Sequence, residues 1–286
     1  MKEEWEPLLS ILSQLQSDPV STLIALLYRV PAVLIALTLH ELAHGYVALR
    51  CGDPTAQMLG RLSFNPLRHL DPVGTAFMLL FGFGWARPVP VNPRNFKHFR
   101  RDDLLVSIAG IVMNFCLFFL TTLLMVGLNR LIYSPAMWEL GNLTNQKDFL
   151  SFRGFNFIAT FMGENIRYTN LIGHFVKSID LQDYADLIRT PWLLYVQRFF
   201  MNFSMINLGL ALFNLLPIPP LDGYHVMNDI FIRGRLHIPQ RIMNLCMIVL
   251  LVACFATDVI SNIVGQAIYA VQDGVLDAIL FVFGMA

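Results

Sequence analysis

The residues best suited to chemistry lie in the apolar run PAVLIALTLHELAHGYVAL, which contains His40, Glu41 and His44. Ionisable side chains are costly in such a run unless they are paired or bound to an ion. On a helix, His40 and His44 are four positions apart, so both imidazoles point to one face and can hold one metal ion. Glu41 can reach water on that ion without being a ligand. The H-E-x-x-H pattern therefore predicts a metallopeptidase zinc site with Glu41 as its general base.

A catalytic zinc ion usually has three protein ligands, so a third ligand is expected from another part of the chain. The best acidic candidate is Asp222 in NLLPIPPLDGYH, where Pro217, Pro219 and Pro220 break the preceding helix and free the backbone to turn inward. His225 lies in the same proline-broken context and is a rival ligand. A helix N-cap is an alternative role for Asp222. Residue spacing alone leaves these alternatives open.

The composition predicts that the protein is embedded in a bilayer. Hydrophobic residues make up 56% of the chain and charged residues 14%, whereas soluble domains carry about 25% charged residues. The formal net charge is zero, so nothing favours a nucleic-acid partner. The four cysteines form no C-x-x-C pair, which indicates buried thiols rather than a thiolate metal site.

The hydropathy pattern predicts an α-helical integral membrane bundle with about four core spans. The predicted spans are 31–49, 104–128, 199–216 and 242–264. Residues 1–30 are expected to form interfacial amphipathic N-terminal helices with a break at Asp18-Pro19. We interpret the whole chain, 1–286, as one membrane-embedded protease domain. Its parts are a catalytic core at 31–230 that includes an extracytoplasmic loop at 130–190, and a C-terminal span and tail at 242–286, whose end is either a surface helix or a partial fifth span.

The segment between the first two spans is predicted to re-enter the membrane rather than cross it. The apolar stretch 73–86 has about 14 residues, short of the roughly 20 that a span requires, and both of its flanks are basic. The positive-inside rule puts both flanks in the cytoplasm, which also puts the active site toward the cytoplasmic side.

Two stretches of this segment, 57–65 and 86–92, are predicted to be short strands of a β-hairpin. Pro88 and Pro90 confine the second to a sheet edge, because proline has no N–H to donate to a ladder. An extended substrate could add to that edge, with Pro88, Val89, Pro90 and Val91 as its binding residues. The alternative is a structural hairpin that seals the site.

Three motifs, in the same order and on separate predicted spans, resemble those of the site-2 protease family of intramembrane zinc metalloproteases. They are HELAH at 40–44, Gly110-x-x-x-Asn114, and Asn214-x-x-Pro-x-Pro-x-Leu-Asp222-Gly. The stretches GRLSFNPLRHLDPVGT and GWARPVPVNPRNF resemble its compact prokaryotic branch, without a peptide-binding or nucleotide-sensing domain. The resemblance implies that His40, His44 and Asp222 bind one Zn²⁺, that Glu41 is the catalytic base, and that Asn114 and Asn214 line the active site.

The two asparagines have a chemical and a structural interpretation. Asn214 could donate its amide to the developing oxyanion, and Asn114 could do the same or orient the substrate backbone. Alternatively, each makes an interhelical hydrogen bond that stabilises the bundle. The spacing of Gly110 and Asn114 also permits close helix approach.

Two functions are consistent with these residues. The first is hydrolysis of peptide bonds within or near transmembrane segments of other membrane proteins, with a regulatory membrane protein or homo-oligomer as further partners. The second is metal transport or metal binding through the His40, His44 and Asp222 site. Transport needs a continuous polar path with several exchangeable sites, and the sequence offers one three-ligand set. The first function is therefore favoured, for a multi-pass protein of the cell membrane.

Overall fold

The computed structural model is mostly helical over the part of the chain that it describes. The described residues are 16, 18–81, 85–134, 168–169, 175–177, 186, 188–232, 236, 238–256 and 259–282. The α-helices are α1 (Pro19–Cys51), α2 (Thr55–Met58), α3 (Pro72–Phe81), α4 (Phe99–Ile132), α5 (Trp192–Asn214), α6 (Asp222–Met227), α7 (Gln240–Ala256) and α8 (Val259–Val282). Two short strands, β1 (Tyr168–Thr169) and β2 (Phe175–Lys177), pair antiparallel, with Tyr168 opposite Lys177.

Within the described part of the chain, three helices are long and apolar enough to cross a membrane. They are Thr22–Cys51 within α1, the whole of α4, and Asn262–Val282 within α8. The predicted spans 31–49 and 104–128 lie within the first two. The prediction of separate interfacial helices up to residue 30 is wrong for residues 19–30, because α1 starts at Pro19 and continues through Pro31. Proline is tolerated in membrane helices, where neighbouring groups satisfy the freed carbonyl.

The C-terminal region differs from the predicted single span at 242–264. Helix α7 ends at Ala256 and α8 begins at Val259, so the apolar stretch is divided between two helices. The intervening Thr257 and Asp258 lie outside the described residues. Predictions for residues 1–15 and for most of the 130–190 loop also lie outside the described residues.

The predicted β-hairpin between α1 and α4 is wrong in its first strand. Residues 55–58 form α2 instead of a strand. Ala86 forms an isolated antiparallel bridge with Leu70, so the two residues that flank α3 in the chain are paired. The N-cap of α2 is Pro54, which has no capping side chain, and the carboxylate of the preceding Asp53 accepts the N–H of Thr55. The second stretch, 86–92, forms no regular ladder in the described residues, as its prolines would lead one to expect.

The chain divides into two compact units. One comprises Met1–Phe118 and Met205–Ile268, and it contains every predicted site residue. Toward the C-terminal end of α1 from His44, this unit has a small core of side chains from α1, α4 and the segment between them. Its members are Ala48, Cys51, Phe96 and Val106. The second unit comprises Phe119–Ser204 and Tyr269–Ala286. Its apolar core contains Met125, Val126, Met201, Leu276, Ile279 and Leu280.

The loop segments next to α1 pack closely on its Gly45. A Cβ added at Gly45 would lie 2.6 Å from Leu62 Cδ2 and 3.0 Å from Val89 Cγ1. Glycine therefore lets both the 60–65 stretch and the 85–92 stretch approach the helix one residue after His44. This close packing brings the two stretches beside the histidines.

Asp53, immediately after α1, ties the same loops together. It is fully buried, and its carboxylate accepts hydrogen bonds from the Asn92 N–H at 2.7 Å, the Asn95 amide at 2.7 Å and the Thr55 N–H at 3.1 Å. Burial alone would raise the pKa of Asp53, but hydrogen bonds from Asn92, Thr55 and Asn95 outweigh it and hold the pKa below the ordinary aspartate value. The ionised carboxylate thus holds residues 92–95 next to the end of α1.

We expect Asp53→Asn to destabilise the protein by about 2–3 kcal/mol at neutral pH, because an amide cannot accept all of these donors. Since the folded-state pKa is lowered, the stabilisation is present above about pH 4 and is lost as the pH falls through the lowered pKa. The melting temperature in detergent micelles, measured for wild type and variant from pH 8 to pH 3, checks this. The gap between the two curves should narrow below about pH 4.

A matched control is Asp71→Asn, whose carboxylate accepts the Gly74 N–H at the start of α3. It should lower the melting temperature less than Asp53→Asn does. Equal melting temperatures for wild type and Asp53→Asn at neutral pH would contradict the assignment.

Candidate active site

The two histidines of α1 face the same way. Their positions four residues apart bring His40 Nε2 and His44 Nε2 within 3.2 Å of each other. Both side chains are buried, as is that of Glu41. Helix α1 is long and apolar enough to cross a membrane, so these three residues lie within an apolar helix, seven residues or more from its end at Cys51.

The carboxylate of Asp222, on helix α6, lies next to both imidazoles. Its Oδ2 is 3.3 Å from His40 Nε2 and 3.3 Å from His44 Nε2. Asp222 is the first residue of α6, after Leu221 at the N-cap position, so the N-cap role for Asp222 is not the one seen. A Cβ at Gly223 would lie 2.4 Å from the carbonyl oxygen of Leu215, so glycine is needed where α6 packs against the end of α5.

The donor set and its spacing fit a zinc ion. Ligand atoms 2.0–2.1 Å from a tetrahedral ion are about 3.3–3.4 Å apart, close to the three separations observed here. Asp222 Oδ2 is buried and makes no hydrogen bond within the described part of the chain, although it faces two imidazole nitrogens. Among the described residues, His40, His44 and Asp222 are the group of three that could hold a metal ion. His225, the rival ligand, lies outside this group and contacts the ring of Tyr224.

Glu41 is held by the backbone of the 85–92 stretch. Its Oε2 accepts the N–H of Val89 at 2.8 Å. The carboxylate also lines the same cavity as the three possible ligands. One oxygen of Glu41 is therefore held in place by a backbone N–H.

The site opens into a cavity of about 480 Å³. Most of its lining is apolar and comes from the 85–93 stretch, the end of α5 and helix α7. Three of the four predicted substrate-binding residues, Pro88, Val89 and Val91, line it, and Pro90 does not. Further lining residues that the sequence did not single out are Trp85, Ala86, Phe213, Met247, Leu250 and Leu251.

The two asparagines differ in their surroundings. Asn114 is fully buried on α4, with its Nδ2 3.1 Å from His40 Nδ1. Asn214 lines the cavity but donates its amide to the carbonyl of Leu210 in its own helix. The structure thus brings Asn114 to a histidine and leaves Asn214 at the cavity wall.

Two contacts of the site were not predicted from the sequence. His44 Nδ1 lies 2.7 Å from the carbonyl oxygen of Val106, and Val89 N–H reaches Glu41. Both use backbone atoms, which carry no residue-type signal. The glycine at 110 does indicate that α4 approaches the histidines closely, because a Cβ there would lie 2.3 Å from His44 Nε2.

Comparison with known proteins identifies the class of enzyme. The sequence profile of peptidase family M50 matches residues 28–257. The chain is 34% identical over 256 residues to "Putative zinc metalloprotease YwhC" of Bacillus subtilis, covering 90% of this chain and 92% of that protein. It is 30% identical over 108 residues to "Putative zinc metalloprotease Rip2" of Mycolicibacterium smegmatis, covering 36% of this chain and 40% of that protein. No solved structure matches the chain significantly.

The match covers more than two thirds of the chain and includes every residue of the predicted site. It gives no support to the transport function. Together with the three span-length apolar helices, the membrane-embedded family indicates a membrane protein. The chain belongs to peptidase family M50, the site-2 protease family, and is a zinc metallopeptidase.

Proposed function

We propose that this protein is an intramembrane endopeptidase that hydrolyses peptide bonds within or near transmembrane segments of other membrane proteins. The observation that carries the proposal is that Asp222 meets His40 and His44 beside Glu41. These two histidines and Glu41 lie within a helix apolar enough to span a bilayer. A site for a soluble substrate would not require these ionisable groups to lie in such a helix. The proposed location is the cell membrane, with the active site toward the cytoplasmic side.

The roles of the site residues follow from their contacts. His40, His44 and Asp222 would hold the zinc ion, which supplies Lewis acidity that activates water and polarises a carbonyl. Glu41 takes the proton of the attacking water and passes it to the leaving amine. Because Val89 holds Oε2, the oxygen available for this proton is Oε1. Asn214 at the cavity wall would have to leave the Leu210 carbonyl to donate to the oxyanion.

The 73–86 segment is proposed to re-enter the membrane region, and the 86–92 stretch that follows it is proposed to bind the substrate. Arg87 and Val89 turn their N–H groups toward the rest of the protein, to the His69 carbonyl and to Glu41. In an extended segment, alternate residues direct their backbone groups to the same edge. Pro88 and Pro90 then belong to the opposite edge, where they offer carbonyls and no N–H. The Pro88 carbonyl already accepts a hydrogen bond from Arg61 Nη2 at 3.1 Å, and its second lone pair would serve a substrate N–H. A substrate strand added there would donate its N–H groups to these carbonyls, while its own carbonyls would find few donors.

The partners of the proposed enzyme are transmembrane protein substrates and the lipid bilayer. A hydrolysable substrate must be locally extended, because a helix keeps its peptide groups in internal hydrogen bonds. A regulatory membrane protein or a second copy of the chain could present it. The apolar lining of the cavity suits side chains of a membrane segment.

We expect Glu41→Gln to retain zinc and to lose cleavage by about 100- to 10,000-fold, since glutamine cannot take the proton. Zinc content is measured by atomic spectrometry on the purified protein. Cleavage is measured on a transmembrane reporter in the same detergent. The matched variant Asp222→Asn should lose bound zinc as well as cleavage. Full cleavage by Glu41→Gln, or normal zinc content in Asp222→Asn with its cleavage intact, would refute the assigned roles.

Substrate binding to an edge of carbonyls predicts an alternating requirement for substrate N–H groups. In a synthetic transmembrane substrate, replacing one amide at a time by an ester removes a single donor with little change in shape. At every second position beside the scissile bond, kcat/KM should fall about fivefold, the equivalent of about 1 kcal/mol for one hydrogen bond. Intervening positions are the internal control. A uniform response along the peptide would exclude strand addition.

A further inference from the structure

One face of α4 supports both imidazoles of the site. His44 Nδ1 lies 2.7 Å from the carbonyl oxygen of Val106, and His40 Nδ1 lies 3.1 Å from the side-chain amide of Asn114. Val106, Gly110 and Asn114 follow one another at intervals of four residues, so they form one stripe along the helix. We propose that this stripe positions the two histidines so that each Nε2 lone pair is directed to the metal. The proposal rests on the proposed zinc site.

The contact of His44 fixes its tautomer. A backbone carbonyl only accepts hydrogen bonds, so the proton of the neutral ring must be on Nδ1. The lone pair is then on Nε2, the atom that faces Asp222 Oδ2 at 3.3 Å. A metal-binding histidine commonly donates its other N–H to a carbonyl or carboxylate in this way. Val106 therefore prepares His44 through a backbone atom.

The same requirement determines how Asn114 must be oriented. A donating Nδ2 would require the His40 proton to be on Nε2, which would then be unable to bind a metal ion. The two ends of an amide have nearly the same shape, and the Oδ1 of Asn114 is buried without a hydrogen bond among the described residues. With Oδ1 turned to His40, it accepts the Nδ1 proton and leaves the Nε2 lone pair free. We assign this orientation to the zinc-binding enzyme.

The lack of a side chain at Gly110 permits both the contact of His44 with Val106 and that of His40 with Asn114. A Cβ there would lie 2.3 Å from His44 Nε2 and 2.5 Å from His40 Cε1, so the imidazoles lie directly against the helix backbone. In an α-helix, the Val106 carbonyl already accepts the N–H of residue 110. Because residue 110 has no Cβ, the second lone pair of that carbonyl remains within reach of His44. Asn114 is therefore a positioning residue through its side chain, and Gly110 through the lack of one.

The test measures zinc affinity of the purified full-length protein by competition with a chromogenic chelator. Asn114→Leu should weaken zinc binding by about 10- to 100-fold, the usual effect of removing such a partner. Asn114→Asp, which keeps an acceptor for His40 Nδ1, should bind at least 10-fold more tightly than Asn114→Leu. Gly110→Ala should weaken binding at least as much as Asn114→Leu. Gly127→Ala on the same helix is the control, because a Cβ at Gly127 meets nothing within 4 Å.

A second measurement separates positioning from general stability. Co²⁺ substituted for zinc gives a visible absorption spectrum that reports the geometry of its ligands, and this spectrum should change in Asn114→Leu and not in Gly127→Ala. A melting temperature is taken for each variant after removal of the metal. Equal losses of affinity in Asn114→Leu and Asn114→Asp, accompanied by equal drops in this melting temperature, would overturn the inference.

The outcomes also separate this inference from the proposed function. If wild type binds zinc no more tightly than His40→Ala, the zinc site itself is wrong. If wild type binds zinc, His40→Ala does not, and Asn114→Leu matches wild type, the site stands and the positioning role of Asn114 is refuted.

Discussion

The close approach of α1 to α4 at Gly110 is the constraint on which the rest of the site depends. Two imidazoles and a carboxylate are buried in an apolar helix, an arrangement that is stable only when each polar group has a partner. Helix α4 supplies partners for the two Nδ1 atoms, and α6 brings Asp222 to the two Nε2 atoms. A side chain at residue 110 would separate the helices and remove several of these contacts at once.

Much of the site could be predicted from the sequence because its residue types are unusual for their surroundings. His40, Glu41 and His44 stand out in an apolar run, and prolines before Asp222 indicate a helix break. The choice between Asp222 and His225 could not be made from spacing, because both follow the same break. It depended on which side chain the first turn of α6 directs toward α1, a property of the three-dimensional packing.

The segment between α1 and α4 shows why the remainder could not be predicted. Alternating residues at 57–65 suggested a strand, but residues 55–58 form a short helix next to a buried carboxylate, Asp53, that accepts the Thr55 N–H. Asp53 attracted no notice in the sequence, since an aspartate after a helix is usually solvated. The contacts of Val106 and Val89 involve backbone atoms, for which residue type gives no information. Similarly, the division between α7 and α8 interrupts a stretch that hydropathy treats as continuous.

The proposed edge at Pro88 and Pro90 has a consequence for self-association. Exposed strand edges usually invite identical edges to pair, because each offers both donors and acceptors. Here two copies would bring carbonyl against carbonyl, and the like dipoles would repel. A foreign chain with intact amides would still be attracted. The prolines would thus allow this edge to bind a substrate chain and prevent it from pairing with the same edge of a second copy of the protein.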